Sequence, residues 1–327
     1  MNHRITFQQA GGPEVLTWSE APLPEPGPGE VRIRHSAIGV NYIDIYQRAG
    51  AYPVPLPATL GFEAAGVVEA LGVNVAEFQV GQRVAYMDGP TGAYAESRNH
   101  PASRLMPLPD SLSDEEAAAI LFKGLTTHML VRRVWRPVPG EWALVHAAAG
   151  GVGLILTRWL AAEGARVIGV VSTEEKAGAV KAEGAEAVVV VPRGGSYGQL
   201  AAQVKALTGK GARVAYDSVG LDTFEASLDS LAPFGLLASF GRASGALPLV
   251  DVAELGRRGG LALQRPSVFP HVADPADLQA AARDLFEAHA RGIVRAHIHA
   301  QLPLREAAQA HRLLESRGTQ GALLLIP

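Results

Sequence analysis

At 327 residues the chain is long enough for two domains, and its 48% hydrophobic and 19% charged content describes a folded globular protein. A net charge of −3 supplies no basic field to neutralise a nucleic-acid backbone, so nucleic acid is not an expected partner. The absence of cysteine excludes disulfides, thiolate zinc sites, iron–sulfur clusters and cysteine nucleophiles together.

The chain starts without an apolar signal core, and no apolar run reaches the roughly 18 residues of a membrane span. A soluble, cytoplasmic protein with no membrane partner is the expectation. The first 110 residues are punctuated by Gly and Pro and carry short strand-like runs at 31–38, 65–70, 83–86 and 93–97, a pattern of a compact β barrel or rolled sheet. The segment Pro22–Gly29 reads as a turn between strands. From Leu112 the pattern changes: Ser113-Asp114-Glu115-Glu116 offers a cap and acids for a helix running to about Val134.

Strand-like and helix-like segments then alternate to Arg265, with strands at 142–146, 166–171, 187–191, 214–217, 236–240 and 261–264. That alternation predicts an α/β fold with a doubly wound parallel sheet. Beyond Arg265-Pro266 the spacing predicts a helix over 275–291, a strand near 296–302, a helix over 305–316 and a last strand at 322–326. The partners of that last strand could lie in either sheet.

Within the alternating region, Trp142–His146 leads into Ala147-Ala148-Ala149-Gly150-Gly151-Val152-Gly153 and an apolar helical run, then into Arg166–Val171. Strand, glycine turn, helix and strand in this order let bare N–H groups at a helix N-terminus face a pyrophosphate. Gly150, Gly151, Val152 and Gly153 are therefore cofactor-binding candidates. The second strand ends in Ser172-Thr173 with Lys176 close behind, where an acidic residue would select a free ribose 2′-hydroxyl. Hydroxyls and an ammonium can instead donate to a 2′-phosphate, which favours NADPH. Glu174 and Glu175 read as first-turn helix acids.

Gly61-Phe62-Glu63-Ala64-Ala65-Gly66, the glycine turn, Tyr216-Asp217-Ser218-Val219-Gly220 and Glu315–Gly321 together resemble the medium-chain dehydrogenase/reductases, over the whole chain. Within them the chain is similar to the NADPH quinone oxidoreductase branch, the relatives of zeta-crystallin. The resemblance implies a GroES-like catalytic domain over 1–122 completed by 266–327, a Rossmann domain over 123–265, and a homodimer joined through the Rossmann sheets. Zinc-dependent members carry Gly-His-Glu and an upstream Cys, whereas Phe62 replaces that His here and no Cys exists. No catalytic metal is expected. Without a Lewis acid the acceptor should delocalise its developing charge, as a quinone or conjugated carbonyl does.

By the same resemblance, Asn41 and Tyr46 meet the nicotinamide side. Tyr52 aligns with the proton donor of enoyl-thioester reductases, so that it could hydrogen-bond or protonate the acceptor. These three are the catalytic candidates, with Asp44 a structural hydrogen-bonding residue. Lys123, Thr126 and Thr127 fall where the family's helix passes between domains, and Ser218, Val219, Phe240, Gly241 and Arg242 follow the fourth and fifth Rossmann strands. Val191-Pro192 replaces the Asn-Tyr that relatives often place by the 2′-phosphate, leaving Arg193 or Arg317 as further donors. His146 reads as a satisfied core residue and His297-Ile298-His299 as a solvated or packed pair. The resulting expectation is hydride transfer to a quinone in the cleft between the domains. An enone or enoyl-thioester reductase, or an NADPH-dependent RNA-binding protein, is the alternative.

Overall fold

The computed structural model describes residues 2–327 and contains two compact units. One comprises residues up to 125 with 272–290 and 295–327; the other comprises 126–271 with 291–294. The chain thus changes unit at 125/126 and 271/272, where the sequence suggested 122/123 and 265/266.

In the first unit, β1 (Asn2–Phe7) pairs antiparallel with β2 (Thr17–Ala21). The Pro22–Gly29 segment follows as an irregular turn leading into β3 (Glu30–Val40). In β3, Val31, Ile33, His35 and Ala37 face inward by strand alternation, and from Ala37 onward both faces are buried. Helix α1 (Tyr42–Arg48) follows at once, begun by a capping box in which Asn41 and Asp44 satisfy each other's backbone. β4 (Ala58–Thr59) joins β1, while β5 (Glu63–Leu71) pairs with β3 and with β6 (Arg83–Met87).

The strand expected at 93–97 is instead an irregular crossing, and the strand itself, β7, is Ser97–Pro101. The backbone of the crossing is shared between two sheets, which prevents a continuous ladder there. Ile5 N–H of β1 donates to the Tyr94 carbonyl and Glu96 N–H to the His3 carbonyl of β1, whereas His35 N–H of β3 donates to the Glu96 carbonyl. After β8 (Met106–Pro107), α2 (Asp114–Met129) is opened by a reciprocal Ser113 and Glu116 box and widens into a π turn at Leu130–Val134.

The second unit holds a six-stranded parallel sheet. Its strands are β9 (Trp142–Val145), β10 (Arg166–Val171), β11 (Ala187–Val190), β12 (Ala212–Asp217), β13 (Leu231–Ser239) and β14 (Ala262–Gln264), in the order β11-β10-β9-β12-β13-β14. Helices α3 (Gly151–Ala162), α4 (Glu174–Ala182), α5 (Leu200–Thr208), α6 (Phe224–Asp229) and α7 (Val252–Arg257) connect them, and α8 (Val268–His271) follows β14. The chain runs outward from β9 in both directions, so the topological switch lies between β9 and β12. Leu144, Ile168, Val170, Ala215 and Leu237 pack beneath Leu200, Val204, Phe224 and Leu228 of the covering helices. Runs buried on both faces are what a covered parallel sheet requires.

The chain then returns to the first unit as α9 (Pro275–Ala290), β15 (Ile298–Pro303), α10 (Ala307–Glu315) and β16 (Ala322–Ile326). β16 answers the open question of its partners. It lies parallel to β15 and antiparallel to the buried end of β3, Leu324 opposite Gly39. Its Ala-Leu-Leu-Leu run has no polar face and needs an interior place in the sheet.

Candidate functional site

In the first unit, α1 carries Asn41 at its head and Tyr46 and Arg48 along its length. Tyr46 and Tyr52 are half-buried, with ring centroids 5.3 Å apart in an edge arrangement at 71°, and Tyr52 N–H donates to the Tyr46 carbonyl. Both predicted phenols therefore belong to one small cluster. Asn41 is drawn inward and is only 7% exposed. Its amide donates to Glu63 Oε1 at 2.8 Å and accepts from Lys123 Nζ at 3.0 Å. Lys123 Nζ also donates to Glu63 Oε1 at 3.1 Å, while Glu63 Oε2 accepts from Phe122 N–H at 2.7 Å.

Glu63 is the residue whose role in this cluster the sequence reading missed. Its carboxylate is wholly buried, holds both Asn41 and Lys123, and sits against Gly39, where a Cβ would come within 2.0 Å of Glu63 Oε1. The signal available in the sequence was a charged residue directly after Phe62 at the start of an apolar strand. A buried ion pair of this kind adds little net stability, but losing one partner leaves an uncompensated charge and costs about 3–5 kcal/mol.

A second buried chain of polar groups supports α1 from behind. Arg48 donates to Glu315 Oε1 at 2.6 Å and to His311 Nδ1 at 3.2 Å. Arginine can only donate, so His311 carries its proton on Nε2 and donates to Tyr94 Oη at 3.1 Å, and Tyr94 donates to Asp44 Oδ2 at 3.1 Å. Burial pushes the Asp44 carboxyl up to about 7, against the hydrogen bonds from Asn41 N–H and Tyr94. Burial, with the Arg48 charge beside it, holds His311 down at about 3. Asp44 thus has the structural role expected of it. Arg317 follows α10 in the left-handed region at φ 55° and is exposed, and Tyr42 Oη donates to the Leu314 carbonyl just ahead of it.

The second unit gathers the remaining candidates, apart from Thr126 and Thr127 of α2, at the carboxyl ends of its strands. Gly150 is the extended N-cap of α3, and no side chain caps the first turn. The N–H groups of Gly151, Val152 and Gly153 therefore form the bare helix start that an anion needs. At Gly153 a Cβ would lie 2.4 Å from the Ala147 carbonyl oxygen, so the close approach of turn and helix requires glycine there. Ala148, standing where a first Gly is usual, is fully buried.

Ser172 is half-buried after β10, and Thr173 caps α4 by accepting from Lys176 N–H at 3.3 Å, which leaves the threonine hydroxyl hydrogen to donate. Burial lowers Lys176 from the ordinary lysine range, with Glu175 opposing. Ser218 and Val219 form the turn after β12. Phe240 N–H and Gly241 N–H after β13 both donate to the Asp217 carbonyl, at 2.8 and 3.3 Å, and Arg242 is half-buried beside them. Thr126 is 7% exposed and Thr127 has no exposed surface, so Thr127 cannot offer its hydroxyl without rearrangement.

His146 departs from the expected satisfied core residue. Its Nε2 is hydrogen-bonded to Ser227, but its buried Nδ1 has no partner. His299 is exposed and accepts from Gln320 N–H through Nδ1. Among the described residues no three His, Asp or Glu side chains converge in an arrangement that could hold a metal ion.

A β-rich unit joined to a six-stranded doubly wound unit, with a glycine turn at its switch point, defines a medium-chain dehydrogenase/reductase. Comparison with known proteins gives the same class. The alcohol dehydrogenase GroES-like domain matches residues 27–110 and the zinc-binding dehydrogenase domain matches 151–285. The chain is 46% identical to a quinone oxidoreductase of Pseudomonas aeruginosa, covering 100% of both. It is 41% identical to a 2-haloacrylate reductase of Burkholderia sp, covering 98% of both. Among solved structures, quinone oxidoreductase of Escherichia coli complexed with NADPH superposes with a TM-score of 0.95 at 43% identity, over 99% of this chain and 100% of that one. The chain belongs to the quinone oxidoreductase branch of the medium-chain dehydrogenase/reductases.

Proposed function

We propose that this chain is an NADPH-dependent quinone oxidoreductase that works without a metal, taking NADPH, a quinone and a proton to NADP⁺ and the hydroquinone. The observation that carries the cofactor half is the uncapped start of α3 packed against a turn that only Gly153 allows. NADPH fits this cradle: Gly150, Gly151, Val152 and Gly153 would hold its pyrophosphate, and Ser172, Thr173 and Lys176 its 2′-phosphate, with Arg317 as a further donor. Bound there, it would supply a hydride at C4 of its nicotinamide ring.

The remaining assignments rest on the family resemblance, with the geometry within each unit in support. Ser218, Val219, Phe240, Gly241 and Arg242 line the cofactor through backbone and side chain, together with Thr126, while the wholly buried Thr127 does not touch it. Asn41 holds the Lys123 ammonium, Tyr46 orients the acceptor beside Tyr52, and Tyr52 donates a hydrogen bond or proton to the acceptor oxygen. A quinone's own electron affinity explains why so few acid or base groups gather here. The similarity to a 2-haloacrylate reductase favours a conjugated acid as the second class of acceptor.

We place the protein in the cytoplasm as a homodimer. No helix among the described residues is long and apolar enough to cross a membrane. The outer side of β14 ends the sheet, and Phe234, Leu249 and Val252 expose apolar surface in the same unit. Side-by-side NADPH oxidation with 1,4-benzoquinone, simple enones and acyl-CoA esters tests the reading. Quinone should be the best acceptor by kcat/KM; an acyl-CoA preference would replace it with an enoyl-thioester reductase.

A further inference from the structure

The floor of the crevice between β9 and β12 contains a buried Ser, His and Asp whose order is unlike that of a hydrolytic triad. Asp217 ends β12 and is 1% exposed, Ser227 of α6 is fully buried, and His146, directly after β9, is 1% exposed. Ser227 Oγ donates to Asp217 Oδ2 at 2.8 Å and lies 3.0 Å from His146 Nε2. A hydroxyl has one hydrogen, so Oγ accepts from the imidazole, and the proton of His146 sits on Nε2. The chain of donation runs His146 to Ser227 to Asp217. Nucleophile activation would require the opposite sense, with the imidazole accepting from the serine. Nδ1 is buried without a partner, and burial lowers the pKa of His146, with the Asp217 charge opposing; both favour the neutral ring.

Asp217 is the hub of this arrangement. Its Oδ1 accepts from Val219 N–H at 2.8 Å and Gly220 N–H at 3.1 Å, and its Oδ2 accepts also from Thr223 Oγ1 at 2.7 Å. Its carbonyl holds Phe240 N–H and Gly241 N–H, while His146 N–H donates to the neighbouring Tyr216 carbonyl at 3.0 Å. One carboxylate thereby fixes the turn after β12, and its residue the turn after β13. Through Ser227 it also fixes the residue that opens the glycine turn after β9. Two of these loops flank the switch point, where a dinucleotide binds in this architecture, and the third lies next to them.

We infer that Asp217, Ser227 and His146 are positioning residues that lock the three strand-end loops into one preorganised cofactor floor, so that NADPH affinity depends on side chains beneath the surface that touches it. The inference rests on the reading that NADPH binds at these loops. Preorganisation acts on binding: a floor that must be ordered by the ligand lowers affinity and leaves the reacting end of the cofactor unaltered once it is bound.

Two measurements test this. NADPH is titrated by the fluorescence of its dihydronicotinamide into wild type, Ser227→Ala and Thr223→Val, alongside steady-state kinetics with 1,4-benzoquinone. Each substitution should raise the NADPH Kd about tenfold, the scale of one hydrogen bond to a charged group, with kcat at saturating NADPH within about twofold of wild type. An unchanged Kd in folded Ser227→Ala, or a fall in kcat at unchanged Kd, overturns the inference. Failure of wild type to bind NADPH would instead overturn the reading beneath it. The second measurement needs no variant: the ¹⁵N shifts of His146 in the wild-type protein should report the Nε2–H tautomer, and an Nδ1–H tautomer would contradict the proposed direction of the chain.

Discussion

The two units hold their candidate residues in place by opposite means. The Rossmann unit works with backbone: an uncapped helix start, a close approach at Gly153, and turn N–H groups held by Asp217. The GroES-like unit works with buried side-chain charge, Glu63 against Lys123 and Arg48 against Glu315, joined to Asn41, Asp44, Tyr94 and His311. Phosphates are the same in every reaction a dinucleotide serves, so fixed dipoles that tolerate varied side chains suffice for them. An acceptor has no such constant group. Its surroundings must be set by side chains, and side chains that place charge inside a fold need partners at every end.

The contrast is broken most severely at its two extremes. Glu63→Gln removes a buried charge paired with Lys123 and should lower stability by about 3–5 kcal/mol, read by urea denaturation, together with most of the turnover. A loss under about 1 kcal/mol would mean that the pair is not the organising element of the first unit. Gly153→Val drives a side chain into the Ala147 carbonyl and should weaken NADPH binding at least about 100-fold in a titration while the Glu63–Lys123 cluster of the first unit stays folded.

Lys176→Ala sharpens the comparison, since it removes one side-chain charge from the mostly backbone-built half. The NADPH Kd should rise about tenfold and the NADH Kd less than twofold. Equal losses for the two cofactors would remove Lys176 from the 2′-phosphate site.

The smallest effect lies in the pH dependence of stability, where buried groups of the first unit oppose one another. Asp44, raised to about 7 by burial, binds its proton more tightly folded than unfolded, so its contribution falls as pH rises from about 4 to 7. His35 and His311, each lowered by burial to about 3, do the reverse and stabilise as pH rises through that range to about 6.5. Thermal midpoints between pH 4 and 7 should therefore climb more steeply in Asp44→Asn and more gently in His311→Gln than in wild type. Parallel curves would show that these groups are not buried as described.

The backbone-built half was the more legible in sequence, and for a physical reason. Periodicity and glycine placement are local, so the strands from 142 to 264 and the turn at 147–153 could be read directly, as could the capped helix at 113. The side-chain network was not legible because its members are distant along the chain: Asp44, Tyr94 and His311 meet only through the fold, and Glu63 looks like any charge beginning a strand. The crossing at 93–96 was misread as a strand because residue pattern does not reveal a backbone divided between two sheets. The place of β16 depended on which sheet offered a neighbour buried on both faces. Resemblance supplied Tyr46, Tyr52 and Arg317, which spacing alone would not have singled out.

One experiment addresses the central claim most directly. Protein dialysed exhaustively against a strong chelator, with its metal content measured, is given NADPH and 1,4-benzoquinone while both NADPH and hydroquinone are followed. The account predicts one hydroquinone per NADPH consumed, at a rate unaffected by removal of metal. Absence of NADPH-dependent turnover, or activity lost with the metal and restored by stoichiometric zinc, would contradict it.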